Sequence, residues 1–156
     1  MAVDQVRSYL KQFNREQDIV EMDASTATVP DAAKALGVIP ARIAKSISLR
    51  KAETAMIVVV SGDMKLDNGK FKERFGFKAR MLSAEEALHF TGHAPGGVCP
   101  FALPEGIDVY LDISLQRFRT IFPAFGSANS LIELTPEDLG IYSRNAEWVD
   151  VCKAIE

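Results

Sequence analysis

The sequence has few residues that could cross-link the chain through disulfides or bind a metal ion. Its 156 residues include two cysteines, Cys99 and Cys152, and two histidines, none spaced as CxxC or HxxxH pairs. This spacing argues against a zinc site, and we expect neither a metal nor another cofactor. Two cysteines without an export signal indicate free thiols in a reducing compartment.

Long hydrophobic runs are also absent. The longest, 55–60, has six residues, whereas a membrane-spanning helix needs about 20. Asp4, Arg7 and Lys11 interrupt the first apolar residues, unlike a signal peptide. The sequence therefore predicts a cytoplasmic protein with no membrane partner. Its length favours one domain covering 1–156, which would bury about 70% of its unfolded surface.

Charge is unevenly distributed along the chain. The formal net charge is −3, yet residues 1–80 carry 14 basic and 10 acidic side chains, whereas 81–156 carry 4 and 11. The segment 42–80, which we call the basic stretch, holds ten basic against four acidic residues. A local basic surface can bind phosphates on an acidic molecule. A solvated helix face would show the same composition, so charge alone leaves both interpretations open.

Hydrophobic periodicity and capping signals predict helices and strands in alternation. The expected helices are 3–14, 28–37, 67–75, 83–90 and 135–140, the last one closed by Gly140. The expected strands are 19–22, 45–50, 55–60, 77–81, 107–112, 119–124 and 129–134. Strands 45–50 and 55–60 predict a hairpin whose second strand is buried on both faces. The pattern favours a single α/β domain with a mixed, largely antiparallel sheet flanked by helices.

The segment 91–101 is an unusual loop with three glycines and two prolines. It contains Gly92, Pro95, Gly96, Gly97 and Pro100. Glycine permits close backbone approach and proline stiffens the chain, so the loop could present backbone N–H groups to an anionic oxygen. It matches neither GxGxxG nor the Walker motif. A rigid turn without a ligand fits the same spacing.

Four other positions could carry chemistry. Lys45 lies in an apolar segment, where it could extend outward to solvent or offer a cation to a phosphate or carbonyl in a cleft. His93 could be a base, a donor or a turn-stabilising residue. Cys99 could be a nucleophile, although a buried thiol fits as well. The segment 126–130 could be a plain hairpin turn or leave room for a ligand, and His89 is expected to be structural.

The segment Thr91-Gly-His-Ala-Pro-Gly-Gly-Val-Cys-Pro-Phe101 resembles the signature loop of the YbaK/ProX family. These are aminoacyl-tRNA deacylases related to the editing domain of prolyl-tRNA synthetase. The family's GxxxP element matches 96–100, and its lysine matches Lys45. Further similarity lies in 28–33, 61–67 and 126–139, so that it spans roughly 20–140. The resemblance implies a barrel-like α/β editing domain.

What the resemblance implies is a free-standing hydrolase of the ester in mischarged tRNA. Backbone N–H groups of the loop would stabilise the oxyanion, Lys45 would bind the terminal nucleotide, and water or a substrate group would attack. The residues implied in catalysis are Lys45, Gly96, Gly97, Val98 and Cys99. Those implied in substrate binding are Thr28, Ser46, Gly92, His93, Pro100, Ser127 and Asn129. The basic stretch would contact phosphates of the acceptor stem.

The expected partners are the acceptor end of an aminoacyl-tRNA and a possible aminoacyl-tRNA synthetase, with the protein itself a monomer. The alanine-specific branch has asparagine after the lysine, where this chain has Ser46, so the resemblance does not identify the amino acid. Two other functions remain open: a module that binds a tRNA end or a nucleotide without hydrolysis, and a hydrolase that uses the Cys99 thiol.

Overall fold

The computed structural model describes residues 2–93 and 97–155, and it contains helices packed on both faces of a mixed sheet. Its helices are α1 Ala2–Leu10, α2 Val29–Leu36, α3 Asn68–Phe75, α4 Ala84–Thr91 and α5 Pro136–Tyr142. Its strands are β1 Ile19–Glu21, β2 Ile43–Lys51, β3 Thr54–Ser61, β4 Met64–Leu66, β5 Asp108–Asp112, β6 Phe122–Pro123, β7 Ser130–Ile132, β8 Glu147–Val149 and β9 Cys152–Ala154.

The central sheet has the order β6-β2-β3-β5-β8, and the pairs β1–β7 and β4–β9 lie beside it. The expected mixed, barrel-like sheet is confirmed, since it curls into a half-barrel. Most of the paired residues described are antiparallel, in β1–β7, in β4–β9 and, within the central sheet, in β2–β3. In the central sheet only β2 and β3 are antiparallel among the described pairings, while β2–β6, β3–β5 and β5–β8 are parallel. The connection from β3 to β5 contains α3 and α4, and the connection from β5 to β8 contains α5. Each brings the chain back to the end of the sheet where the preceding strand began, so that β3–β5 and β5–β8 are parallel.

The β2–β3 hairpin and the burial of β3 agree with the prediction. Ile57 and Val59 point into one hydrophobic cluster, together with Leu111 of β5 and Leu139 of α5. Their neighbours Met56, Val58 and Val60 point into a second cluster, which contains Phe71 of α3. Because successive side chains of a strand face opposite sides, a continuously apolar strand is buried on both of them.

Local capping chemistry starts the helices where the sequence places them. Thr28 accepts a hydrogen bond from the Asp31 backbone N–H and begins α2, which ends at Gly37. Ser83 and Glu86 form a capping box at α4, and Thr135 caps α5. Such caps satisfy backbone donors that a helix leaves without partners in its first turn.

Three predictions about elements are wrong or incomplete. The expected strand 77–81 is not formed; Met81 makes only an isolated bridge to Leu49. Strands 119–124 and 129–134 shrink to the short β6 and β7. Gly140 does not end its helix, which continues to Tyr142; it is a buried residue inside the helix. The strands β4, β8 and β9 were not predicted.

Candidate functional site

One cavity, which we call the central cavity, lies where α2, β2 and the glycine-rich loop meet. Its volume is about 360 Å³. Five separate parts of the chain line it: Thr26, Ala27, Thr28, Val29, Ile43, Ala44, Lys45, Ser46, Val98, Ala124 and Leu131. Of the residues implied in the site, Thr28, Lys45, Ser46 and Val98 are thus brought together. Ala32 and Ala33 of α2 pack behind it against Ile43, Phe122 and Leu131, which fixes the helix on the sheet.

Lys45 is the second residue of β2 that pairs with β3. It lies opposite Val60 of β3 and is half-buried. Its Nζ donates a hydrogen bond to the Met64 carbonyl oxygen at 2.8 Å. Burial lowers the pKa of the Lys45 ammonium, while Cys152 and Asp63 act in the opposite direction. With no ion pair among the described residues, the ammonium keeps two N–H donors for a ligand.

Ser46 contributes a hydroxyl that is buried without a hydrogen-bond partner in the described part of the chain. It belongs to the lining of the central cavity. A buried polar group without a partner costs about 1–3 kcal/mol, and a ligand in the cavity would relieve that cost. Ser46 and Lys45 are therefore two polar residues of the cavity lining with unused hydrogen-bonding capacity.

The segment before α2 is tied to the 126–130 turn. The backbone N–H and the hydroxyl of Thr26 both donate to the Ala128 carbonyl. Thr28 is exposed and uses its hydroxyl oxygen as the α2 cap. Sequence reasoning missed Thr26, because its partner lies about 100 residues away and nothing in the local pattern marks it.

The described part of the glycine-rich loop is seated against the same turn. A Cβ atom on Gly97 would lie 2.6 Å from the Ser127 backbone nitrogen, so that no side chain fits. Val98 lines the central cavity, whereas Cys99 and Pro100 are buried. Pro100 instead lines a second cavity of about 340 Å³. Gly96, an expected catalytic position, lies outside the described residues.

The backbone N–H groups of Gly97, Val98 and Cys99 have no hydrogen-bond acceptor among residues 2–93 and 97–155. Buried backbone donors are nearly always paired. These three successive donors are thus not used within the described chain, and Val98 lines the cavity that also contains Lys45.

His93 and Cys99 lie in the core rather than on the cavity wall, and both are fully buried. His93 Nε2 donates to the Phe101 carbonyl at 2.9 Å, and its Nδ1 has no partner in the described chain. Cys99 Sγ lies 3.6 Å from that ring nitrogen. Burial lowers the pKa of His93 and raises the pKa of Cys99 to about 12. The imidazole is thus neutral, and the thiol stays protonated.

The other residues implied in substrate binding are found in turns outside the cavity lining. Gly92 ends α4 with a φ of +78° and is exposed. Ser127 donates to Asn129 and contacts Ser130. Asn129 donates to the Met22 carbonyl, and its own carbonyl accepts from the Met22 N–H. His89 is exposed and packs edge-on against Phe90.

The described residues contain no helix long and apolar enough to cross a membrane. Within the same residues no three His, Cys, Asp or Glu side chains are grouped as metal ligands.

Comparison with known proteins identifies related sequences and structures. A sequence profile of the aminoacyl-tRNA editing domain matches residues 23–140. The uncharacterized protein YwhH of Bacillus subtilis is 52% identical over 154 residues, covering 98% of each chain. The proline–tRNA ligase of Aquifex aeolicus is 27% identical over 132 residues, which are 83% of this chain and 23% of the ligase.

A solved structure has the same fold. The crystal structure of a candidate trans-editing enzyme for prolyl-tRNA synthetase superposes with a TM-score of 0.87. The two sequences are 30% identical, and the match covers 98% of each chain. Such coverage includes the sheet, the helices and the loops that form the central cavity.

Proposed function

Because the chain belongs to the family of aminoacyl-tRNA editing domains, we propose that it is a free-standing deacylase of mischarged tRNA. It hydrolyses the ester that joins a wrong amino acid to the 3′-terminal adenosine. The observation that carries this proposal is the central cavity, whose lining brings Lys45 and Ser46 of β2 together with Val98 of the glycine-rich loop. The similarity to a trans-editing enzyme and to a segment of proline–tRNA ligase supports it.

Ester hydrolysis needs a stabilised oxyanion. Attack on the ester carbonyl gives a tetrahedral intermediate whose oxygen carries the negative charge. The N–H groups of Gly97, Val98 and Cys99 would donate to that oxygen. Because the tight contact between Gly97 and Ser127 holds this segment, the donors are positioned before the substrate binds, and little reorganisation is needed in the transition state.

Lys45 would hold the substrate in place. Its ammonium is half-buried beside the cavity and carries two donors that the Met64 carbonyl does not use. A phosphate of the terminal nucleotide or the ester carbonyl would accept from them, and a charge-assisted bond of this kind contributes about 1.5–3 kcal/mol. The Ser46 hydroxyl, unpartnered on the same wall, would bind a polar group of the aminoacyl ester.

A water molecule or a group of the substrate itself would attack the ester. Cys99 is a poor candidate for the nucleophile, because its thiol is buried and has a pKa raised to about 12. His93 is buried as well and is engaged with the Phe101 carbonyl. The side chains on the cavity wall then serve binding and orientation, and the apolar walls favour a small amino acid.

The experiment is release of amino acid from tRNA preloaded with alanine, serine, cysteine or threonine. We expect fast hydrolysis of at least one ester, reduced about 10- to 100-fold in Lys45→Ala, which corresponds to the loss of about 1.5–3 kcal/mol. Lys11→Ala, which removes an exposed lysine of the N-terminal segment, serves as the matched control and should keep full activity.

Two outcomes would contradict the proposal. Esters that keep or lengthen their lifetime in the presence of the protein would indicate a module that binds a tRNA end without hydrolysis. Full activity in Lys45→Ala would remove the role given to that lysine, while the deacylase activity itself would stand.

A further inference from the structure

Most cations of the basic stretch already have an acceptor within the protein. Arg42 pairs with Glu133, Arg50 with Glu86, Lys51 with Asp108, Lys70 with Asp150 and Arg74 with Glu147. Lys45 donates to Met64. By contrast, the side chains of Lys65, Lys72, Lys78 and Arg80 make no hydrogen bond or ion pair with any described residue. The cations available to a partner are therefore fewer than the sequence composition indicates.

Lys65 has a second lysine directly beside it. In the antiparallel β4–β9 pair, Lys65 lies opposite Lys153, and both are exposed. Residues directly opposite each other in such a pair point to the same side, and like charges there repel. An anion bound between the two ammonium groups would turn this repulsion into attraction.

Lys72 and Lys78 form a second pair. Together with Asn68, Gly69 and Ala79 they line a surface cavity of about 380 Å³ near the start of α3. Asp67 caps this helix, and the pKa of its carboxyl is lowered first by the Lys70 backbone N–H and also by the charge of Lys153. The Asp67 N–H donates to the Val151 carbonyl and Lys70 Nζ donates to the Cys152 carbonyl, so the chain entering β9, and with it Lys153, lies beside the start of α3. We call the four residues the lysine face: Lys65, Lys72, Lys78 and Lys153.

The lysine face adjoins the central cavity through β4. The ammonium of Lys45, on the cavity wall, bonds to the carbonyl of Met64, and Met64 directly precedes Lys65. Three carboxylates near this surface already have partners: Asp63 pairs with Arg117, Asp150 pairs with Lys70, and Asp67 caps α3. Helix α3 itself has three basic residues and one acidic residue.

We propose that the lysine face binds phosphates of the tRNA acceptor stem while the terminal nucleotide occupies the central cavity. This inference rests on the proposed function. It distinguishes Lys65, Lys72 and Lys78 from the cations of the basic stretch that already have a partner, and it adds Lys153 from β9. An A-form stem offers phosphates and 2′-hydroxyls along its backbone, which a protein contacts without reading sequence. Each phosphate contact adds to affinity and to its salt dependence through counterion release.

The test is the salt dependence of binding to uncharged tRNA, measured by fluorescence anisotropy at several KCl concentrations. The double variants Lys65→Ala/Lys153→Ala and Lys72→Ala/Lys78→Ala should each make the slope of log K against log[KCl] shallower by about two. Lys51→Ala/Arg74→Ala removes the same charge from positions that are already paired, and it should leave the slope unchanged. Equal slopes in all variants, or an equal effect of the control pair, would overturn the proposal.

A minimal substrate separates this inference from the proposed function. On an aminoacylated CCA trinucleotide, which has no stem, the lysine-face variants should hydrolyse the ester as fast as the wild type. On full aminoacyl-tRNA the same variants should show a raised KM and an unchanged kcat. Equal losses on both substrates would contradict stem binding. If wild type hydrolyses neither substrate, the deacylase proposal fails, and the salt slopes still decide whether the lysine face binds tRNA.

Discussion

Gly97 and Ser127 touch through their backbones: a methyl group on Gly97 would lie 2.6 Å from the Ser127 nitrogen. The glycine-rich loop and the 126–130 turn are thereby joined at the edge of the central cavity. The same turn accepts two hydrogen bonds from Thr26. Three segments that are far apart in sequence therefore meet at the 126–130 turn.

Gly97→Ala should therefore displace the loop. Overpacking of this kind lowers the free energy of unfolding by about 1–3 kcal/mol. Because the N–H groups of 97–99 would be displaced, the variant should also lose most of its deacylase activity. Urea unfolding and ester hydrolysis measure the two effects. Gly140→Ala is the control: its added methyl group meets Leu111 at an ordinary distance of 3.7 Å, and helix propensity favours alanine by up to about 1 kcal/mol. A fully active Gly97→Ala would exclude positioning by this contact.

Lys45→Met should separate the charge of Lys45 from its packing. Methionine keeps much of the aliphatic stem, so the protein should fold, whereas hydrolysis should fall about 10- to 100-fold with loss of the charge-assisted contact. Because burial lowers the pKa of Lys45 below its usual 10.5, the folded state disfavours the charged form. Stability should thus rise as pH increases through the window just below 10.5. Lys45→Met should lack this rise in stability. The same rise in the variant would show that Lys45 is not the group that causes it.

Cys99→Ala should retain deacylase activity. The raised pKa of about 12 leaves almost no thiolate at neutral pH, so the native protein should also react slowly with thiol reagents. Titration with Ellman's reagent before and after unfolding measures this protection for Cys99 and for the buried Cys152. Inactivation by Cys99→Ala in a folded protein would restore the thiol-dependent hydrolase as an explanation.

His93 should make the protein sensitive to mild acid. Burial lowers the pKa of His93 below its ordinary value of 6.5, so the unfolded state binds a proton more readily than the folded state. Its contribution to stability is complete above pH 6.5 and is lost as pH falls through and below that value. Urea unfolding at pH 7.5 and 5 should show a smaller loss for His93→Gln than for the wild type.

His93→Leu supplies the matching comparison. Leucine cannot donate to the Phe101 carbonyl, which then keeps only the weak Cys99 thiol donor at 3.8 Å. Loss of the imidazole bond should cost about 1 kcal/mol. Glutamine can reach the same acceptor and should recover part of that stability at pH 7.5. Equal stability of wild type and His93→Leu would show that the bond to Phe101 contributes nothing.

Much of the fold could be predicted where local chemistry decides it. Thr28 and Gly37 mark both ends of α2, Ser83 starts α4, and the polar turn at 51–54 separates the two hairpin strands. The resemblance carried by residues 91–101 is confirmed by the match to the aminoacyl-tRNA editing domain. Each of these signals lies within a few residues of the feature that it predicts.

The rest depends on partners that are distant in sequence. The strands β4, β8 and β9 have three residues each, too few for a period-two pattern to emerge. The segment 77–81 alternates as a strand does, yet in the described structure it makes only the Leu49–Met81 bridge. The functional roles of the expected site residues stay predictions. Lys45 and Val98 line the cavity, whereas its lining residues Thr26, Ala124 and Leu131 carry no local signal in the sequence.

The distribution of the cavity walls along the chain has a consequence during synthesis. Walls near residues 26, 45, 98 and 131 close the cavity together, and the last of them belongs to β7, which pairs with β1 near the start. A nascent chain has no complete cavity until residue 131 has emerged from the ribosome. If the proposed activity resides in this cavity, it therefore arises only after most of the chain has been synthesised.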